Sequence, residues 1–202
     1  VRRFAFHRRG RGVNTTKSTA KLLQGKLRRV NIVALCGSLR AVSSNKSLLK
    51  AAARLAPQGV TISLYEGLGD LPHYNPDLEE NPPPIVVAFR KLIRDCDGLL
   101  IASPEYMLGM PGSLKNALDW LVGGGDEFVG KRVALLNASP RSTRAQDSLK
   151  DTVAIMAGRI VEEASIAVEL RGKGMTEDAI VADLALAERL RGAMTALARA
   201  VE

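Results

Sequence analysis

Apolar residues recur along this chain in two alternating rhythms. Strand-sized apolar runs appear at "VNIVALC" (30–36), "VTISLY" (60–65), "GLLIAS" (98–103) and "KRVALLNAS" (131–139). Between them the spacing turns helical. Leu48, Leu49, Ala52 and Leu55 share one face of a helix over 45–56, and Val86, Phe89 and Ile93 share one face over 84–95. Further helices are expected at "SLKNALDWLV" (113–122) and over about 145–158, with a fifth strand near 164–169. The stretch from Thr176 to the end predicts one long amphipathic helix, with Thr176 and Asp178 where a cap and a first-turn acid belong. A long loop, 66–84, carries Gly67, Gly69, Pro72, Asn75, Pro76 and Pro82 to Pro84.

Strands that are apolar on both faces and alternate with helices predict an α/β doubly wound parallel sheet covered on both sides. Such sheets bind ligands beyond the carboxyl ends of their strands, where the strand order reverses. The loops 37–45, 103–112 and 139–145 leave those ends and are expected side by side.

A length of 202 residues with 46% hydrophobic content fits one well-buried domain. No apolar run approaches the roughly 20 residues that a spanning helix needs. The net charge of +8 resembles a nucleic-acid signal until its distribution is considered. Residues 1–29 hold ten of the 29 Lys and Arg and none of the 21 acids, which leaves residues 30–202 at −2. The body, 30–202, is expected to be the folded domain and nucleic acid is not an expected partner. The basic segment 1–29 reads as a disordered arm or as sequence upstream of the native start, since the first methionine is Met107. An Arg-rich, acid-free transit peptide or an anion-binding arm are the alternatives. Cys36 and Cys96 sit in apolar contexts and read as buried free thiols, which fits a reducing cytoplasm. Two histidines and two cysteines lack the spacing of metal ligands, so no metal is expected.

The first loop, "GSLRAVSSN" (37–45), concentrates donors at the mouth of a helix. Gly37 allows a sharp turn after the strand. Ser38, Ser43 and Ser44 offer hydroxyls, Asn45 an amide and Arg40 a fixed fork of N–H groups. Free N–H groups at the helix start point into the same space. This set matches a phosphate monoester, although capping of the helix by Ser44 or Asn45 would use the same residues. The loop is neither a Walker A sequence nor a G-x-G-x-x-G turn, which argues against a nucleoside triphosphate or a dinucleotide as the main ligand. A helix terminus contributes about 0.3–2 kcal/mol to anion binding. Each charge-assisted hydrogen bond adds about 1.5–3 kcal/mol. Micromolar to nanomolar affinity requires about 8–12 kcal/mol, so another surface must grip the rest of the ligand.

The second loop, "SPEYMLGMPG" (103–112), offers that surface. Pro104, Gly109, Pro111 and Gly112 shape it, and Tyr106, Met107, Leu108 and Met110 form a broad polarizable face suited to a planar heteroaromatic ring. The same residues would also serve as ordinary core or as an oligomer contact. Trp120 and Leu121 read as core or interface.

Together, "GSLRAVSSN" and "PEYMLGMPGSLKNALDW" resemble the NADPH-dependent FMN reductase family, over about residues 30–195. The resemblance implies a flavodoxin-like fold with five strands in the order 2-1-3-4-5. It implies FMN as bound cofactor and NADPH or NADH as donor. The implied acceptor is a quinone, a free flavin, an azo compound or a metal oxyanion, and the implied assembly a homodimer or homotetramer. By the same resemblance Ser38, Arg40, Ser43 and Asn45 meet the FMN phosphate, with Ser44 beside them as a further cofactor-binding candidate. Pro104, Glu105 and Tyr106 match the loop that flanks the isoalloxazine, and Ser139 opens the loop that approaches its pyrimidine side, with Met107 and Arg141 as the further cofactor-binding candidates of these two loops. Met107 stands where the family usually has Asn. The segment "LPHYNPDLE" (71–79) resembles a loop near the family's active site or subunit contact.

The implied reaction is ping-pong, with no obligatory catalytic acid or base in the protein. His73 reads as an exposed loop residue, and Glu105 as a carboxylate that orders its loop rather than a base. Arg141 and Arg144 read as solvated arginines, with the 2′-phosphate of NADPH as the sharper alternative. A flavodoxin-like electron shuttle that never meets a nicotinamide is the rival function.

Overall fold

The computed structural model describes residues 29–141, 143–170 and 175–202. The basic segment therefore lies, apart from Arg29, outside the described residues. Four strands were expected in the right places: β1 (Val30–Cys36), β2 (Val60–Tyr65), β3 (Gly98–Ala102) and β4 (Arg132–Asn137). They form one parallel sheet in the order β2-β1-β3-β4-β5, where β5 is Arg159–Ile160. The register runs Ile32 to Gly98 and on to Arg132, so the three central strands end together at Cys36, Ala102 and Leu136.

Every residue from Ile32 to Cys36, all of β3 and Val133 to Asn137 are buried. The strand repeat of two residues splits them between two cores. Ile32, Ala34, Cys36, Leu100 and Leu136 pack with α1 (Ser44–Arg54), α5 (Glu177–Ala182) and α6 (Leu184–Val201). Val33, Leu35, Leu99, Ile101 and Leu135 pack on the other face with α2 (Pro84–Asp95), α3 (Gly112–Val122) and α4 (Thr143–Ile155). The flavodoxin-like arrangement follows directly from these two cores.

Two expectations need correction. The fifth strand is not continuous over 164–169. Arg159–Ile160 pairs with Arg132 and Val133, a 3-10 turn over Glu162–Ala164 bulges away, and β6 (Ile166–Ala167) returns to pair with Leu136 and Asn137. The Ser165 hydroxyl substitutes for the missing ladder by accepting the N–H of Leu135 at 3.1 Å. The C-terminal helix is also two helices. Thr176 does cap the first, accepting from Ala179 N at 3.3 Å. Asp183 then leaves the helical region and its carboxylate accepts the N–H groups of Ala185 and Leu186, both at 3.1 Å, starting α6 afresh.

The long 66–83 connection is fastened to α3 near its middle. Asn116 accepts the N–H of Tyr74 at 2.7 Å and donates to the carbonyl of Pro72 at 3.0 Å. Trp120, fully buried, donates its indole N–H to the same carbonyl at 2.8 Å, and the Tyr74 ring meets it edge-on at 5.1 Å. Behind Trp120, the buried Arg90 donates to its carbonyl at 2.8 Å and lies over its ring. Arg94 pairs with the buried Glu127 at 2.5 Å, which holds down the glycine-rich turn after α3. Among the described residues no helix is long and apolar enough to cross a membrane.

Candidate functional site

The strand order reverses between β1 and β3, so the loops leaving β1 and β3 diverge to opposite faces and open a crevice between them. Three loops line that crevice. The first leaves β1 at Gly37, whose N–H donates to Ala102 O at 2.9 Å, as if the sheet continued one residue further. A Cβ on Gly37 would come within 3.0 Å of the Ser103 hydroxyl and 3.3 Å of Leu114, so only glycine lets the first and second loops close together here. Ser113 Oγ donates to Gly37 O at 3.3 Å and ties α3 to the same point.

Ser43 is the N-cap of α1: it is extended, and its hydroxyl accepts from Lys46 N at 3.3 Å. Sequence reasoning placed that role on Ser44 or Asn45, which instead occupy the first helical turn. The difference matters chemically, because capping by Ser43 leaves the side chains of Ser44 and Asn45 for other partners. The first-turn N–H groups of Ser44 and Asn45 have no intrahelical acceptor, and both residues line the crevice. Ser38 is buried, and its hydroxyl accepts from Arg40 N at 3.4 Å, which curls the loop. The Arg40 side chain itself is exposed at the rim.

The result is a cavity of about 330 Å³. Ser38, Arg40, Ser43, Ser44 and Asn45 line it from the first loop, Pro104, Glu105 and Tyr106 from the second, and Ser139 from the third. Met107 does not line it and is fully exposed. Arg141 lies in a neighbouring hollow with Ser44, Ser139 and Glu169. Arg144 and His73 are exposed elsewhere. Three lining residues were missed: Ser103, Asn137 and Ala138. Ser103 and Asn137 are polar residues ending otherwise apolar strands, a signal present in "GLLIAS" and "VALLNAS". Asn137 is buried, and its side-chain oxygen accepts the N–H of Ser139 at 2.8 Å.

One lining atom has an unmet need. The side-chain oxygen of Asn45 is buried and has no hydrogen-bond partner within the protein. Buried polar atoms left without a partner cost about 1–3 kcal/mol, so this one fits a ligand that brings a donor.

The second loop holds its aromatic residue by a tight hairpin. Tyr106 N donates to Gly109 O at 2.9 Å, and Gly109 N donates to Tyr106 O at 3.0 Å. The two residues between them, Met107 and Leu108, both have left-handed backbones, with φ of 48° and 65°. That is the geometry of a type I′ turn, which Asn and Gly favour. In this chain two bulky residues adopt it. Tyr106 is about half exposed beside the cavity, Met107 and Leu108 point to solvent, and Met110 packs back against the core. The broad face expected from all four residues is thus carried, at the cavity, by Tyr106.

Glu105 joins the second loop to the third, its carboxylate accepting the N–H of Ala145 in the first turn of α4 at 3.0 Å. Beneath the first loop, Cys36 is buried and its thiol donates to Ser38 O at 3.5 Å. Burial pushes the Cys36 and Cys96 thiols up, outweighing nearby hydrogen bonds and lysines, so both stay protonated.

Comparison with known proteins gives consistent matches. A family model described as NADPH-dependent FMN reductase matches residues 30–171. An NAD(P)H-dependent FMN reductase of Pseudomonas aeruginosa is 39% identical over 132 residues, 63% of this chain and 71% of that protein. A 2-hydroxy-1,4-benzoquinone reductase of a Burkholderia species is 46% identical over 91 residues, 45% of this chain and 49% of that protein. The chain thus spans about half to seven tenths of the length of these curated relatives. Among solved structures, FerB, a flavoenzyme NAD(P)H:(acceptor) oxidoreductase from Paracoccus denitrificans, superposes with a TM-score of 0.69 at 29% identity, covering 85% of this chain and 97% of that one.

Proposed function

This chain belongs to the NADPH-dependent FMN reductase family, and from that premise we propose that it is an FMN-dependent NAD(P)H oxidoreductase with quinones as acceptors. The overall change is NAD(P)H + H⁺ + quinone → NAD(P)⁺ + quinol, which balances in atoms and electrons. FMN, when bound, supplies the two-electron relay between nicotinamide and acceptor.

The observation that carries the reading is the match between the cavity's donor set and the two chemistries of that cofactor. Ser38, Ser43, Ser44, the first-turn N–H groups of α1 and the Arg40 guanidinium suit a phosphate monoester. The open Asn45 oxygen suits a ribityl hydroxyl. Tyr106 and Pro104 give a flat ring something to lie along, and Ser139 with the Asn137–Ser139 turn offers polar atoms for its edge. The protein's part is to bind, orient and desolvate; Glu105, engaged with Ala145, is a positioning residue rather than a base.

In this reading residues 30–202 form the FMN-binding unit, and the buried free thiols suit a reducing, cytoplasmic setting. Free flavin, azo compounds and metal oxyanions are further acceptors to assay, and a homodimer or homotetramer is the expected assembly. The test is the visible spectrum of the purified protein. Oxidised flavin bands that bleach on adding NADPH and return on adding 1,4-benzoquinone are the expected result. A colourless protein that takes up no FMN at saturating concentration would overturn the proposal. Bleaching by dithionite but not by NADPH or NADH would instead favour the electron shuttle.

A further inference from the structure

A second cavity, of about 440 Å³, abuts the first. The two share Arg40 and Tyr106 as a common wall. The second cavity differs in character: beside the shared Arg40 and Tyr106 it is lined by Gly37, Leu39, Pro111 and Gly112, with Ser113 its one serine, and its surface is mostly apolar. Leu39 is 58% exposed. Its side chain is backed by Gly69, where a Cβ would lie 3.3 Å from Leu39 Cδ1. Gly112, the first residue of α3, faces open space, since a Cβ built there meets nothing within 4 Å.

We propose that this groove is the subsite for the alkyl or prenyl substituent of a tailed quinone acceptor. The proposal rests on the oxidoreductase reading above. In that reading the head of such an acceptor must meet a flavin ring lying along Tyr106, a residue that also lines the groove. A substituent leaving that head then has two directions, open water or this groove. Leu39, Pro111 and the Tyr106 ring gain from being covered by hydrocarbon, whereas the serine-lined cradle does not.

The test uses the flavin-loaded, full-length protein and 1,4-benzoquinones carrying methyl, butyl or octyl at position 2. With NADPH saturating, kcat/KM is expected to rise by about threefold to fourfold per methylene while the tail is being buried, then to level off. Gly112→Leu places a side chain in the groove and is expected to bring the butyl-to-methyl ratio close to one, and Leu39→Ser to lower it by about tenfold. Calorimetry with redox-inert 2-butyl-1,4-dimethoxybenzene, against unsubstituted 1,4-dimethoxybenzene, reads the same subsite without turnover. Tighter binding of the butyl probe, abolished by Gly112→Leu, is expected. Turnover of all three quinones with equal kcat/KM overturns the groove and leaves the oxidoreductase reading standing. If no quinone turns over, that reading falls and calorimetry alone decides, with equal binding of the two probes overturning the groove. Should Gly112→Leu fail to fold by circular dichroism, Leu39→Ser decides in its place.

Discussion

The Glu105 carboxylate accepts the backbone N–H of Ala145 at 3.0 Å, across 40 residues of sequence. It links the loop that carries Tyr106 to the first turn of α4, where the helix N-terminus favours a negative charge. Two walls of the cradle are therefore tied together. Glu105→Ala is expected to weaken FMN binding by about tenfold, the equivalent of one charge-assisted hydrogen bond. Glu105→Gln, which keeps an acceptor, is expected to recover part of that loss. Flavin fluorescence quenching measures both, and a base in catalysis would instead show as a kcat effect with FMN affinity unchanged.

Arg40 lines both cavities, and the proposed function gives it the phosphate. Arg40→Ala is expected to raise the FMN dissociation constant by about 10–100-fold, while leaving riboflavin affinity within a factor of about two. Parallel titrations with the two flavins check this. Equal losses for both would remove Arg40 from the phosphate.

Met107 adopts a left-handed backbone with its side chain in solvent. A bulky L-residue there costs about 1–2 kcal/mol, which Asn reduces and Gly removes. Met107→Gly and Met107→Asn are expected to raise stability by about 0.5–1 kcal/mol, and Met107→Val to lower it by a similar amount. Chemical denaturation midpoints decide. The family's usual Asn at this position then has a backbone explanation independent of any contact to flavin.

The two buried thiols give a pH signature. Burial in the fold raises both above the ordinary value of a free cysteine thiol. The folded chain thus holds protons that the unfolded chain has released, and its stability is full below that value and falls as pH climbs past it. The slope is at most about 1.4 kcal/mol per pH unit for each thiol, and it ends where the folded thiol itself ionises. Stability curves between pH 8 and 10.5 for wild type and Cys36→Ala test this, the variant showing the shallower fall. A thiol reagent at neutral pH is expected to leave both cysteines unmodified until denaturant is added.

Removing residues 1–29 is expected to leave flavin content and NADPH oxidation unchanged, because the cradle is built wholly from residues 38–139. Loss of either on truncation would assign the basic segment a part in the chemistry.

Most of the frame was readable because burial on both faces forces long apolar strands such as "VNIVALC", which little else resembles. What escaped reading depended on single polar atoms. Asp183 lies in a stretch whose apolar period continues unbroken on both sides, so only its capping bonds reveal the break between α5 and α6. The split of the last strand hangs on the Ser165 hydroxyl. At the site, Ser43, Ser44 and Asn45 are all good caps, and propensity does not choose among them. The left-handed turn at Met107–Leu108 was hidden because its residues are poor choices for it. Ser103 and Asn137 were open to notice as polar ends of buried strands, a position that sequence alone ties to the crevice once the sheet is assumed parallel.

Gly98 sits so close to Val201 that a Cβ there would lie 2.8 Å from the valine side chain, so α6 finishes at the amino edge of the sheet, where β1 also begins. Arg29 and Glu202 thus emerge from the end of the molecule opposite the cradle. Anchored to an electrode or a resin through either residue, the protein would turn its cofactor mouth outward, toward whatever flows past.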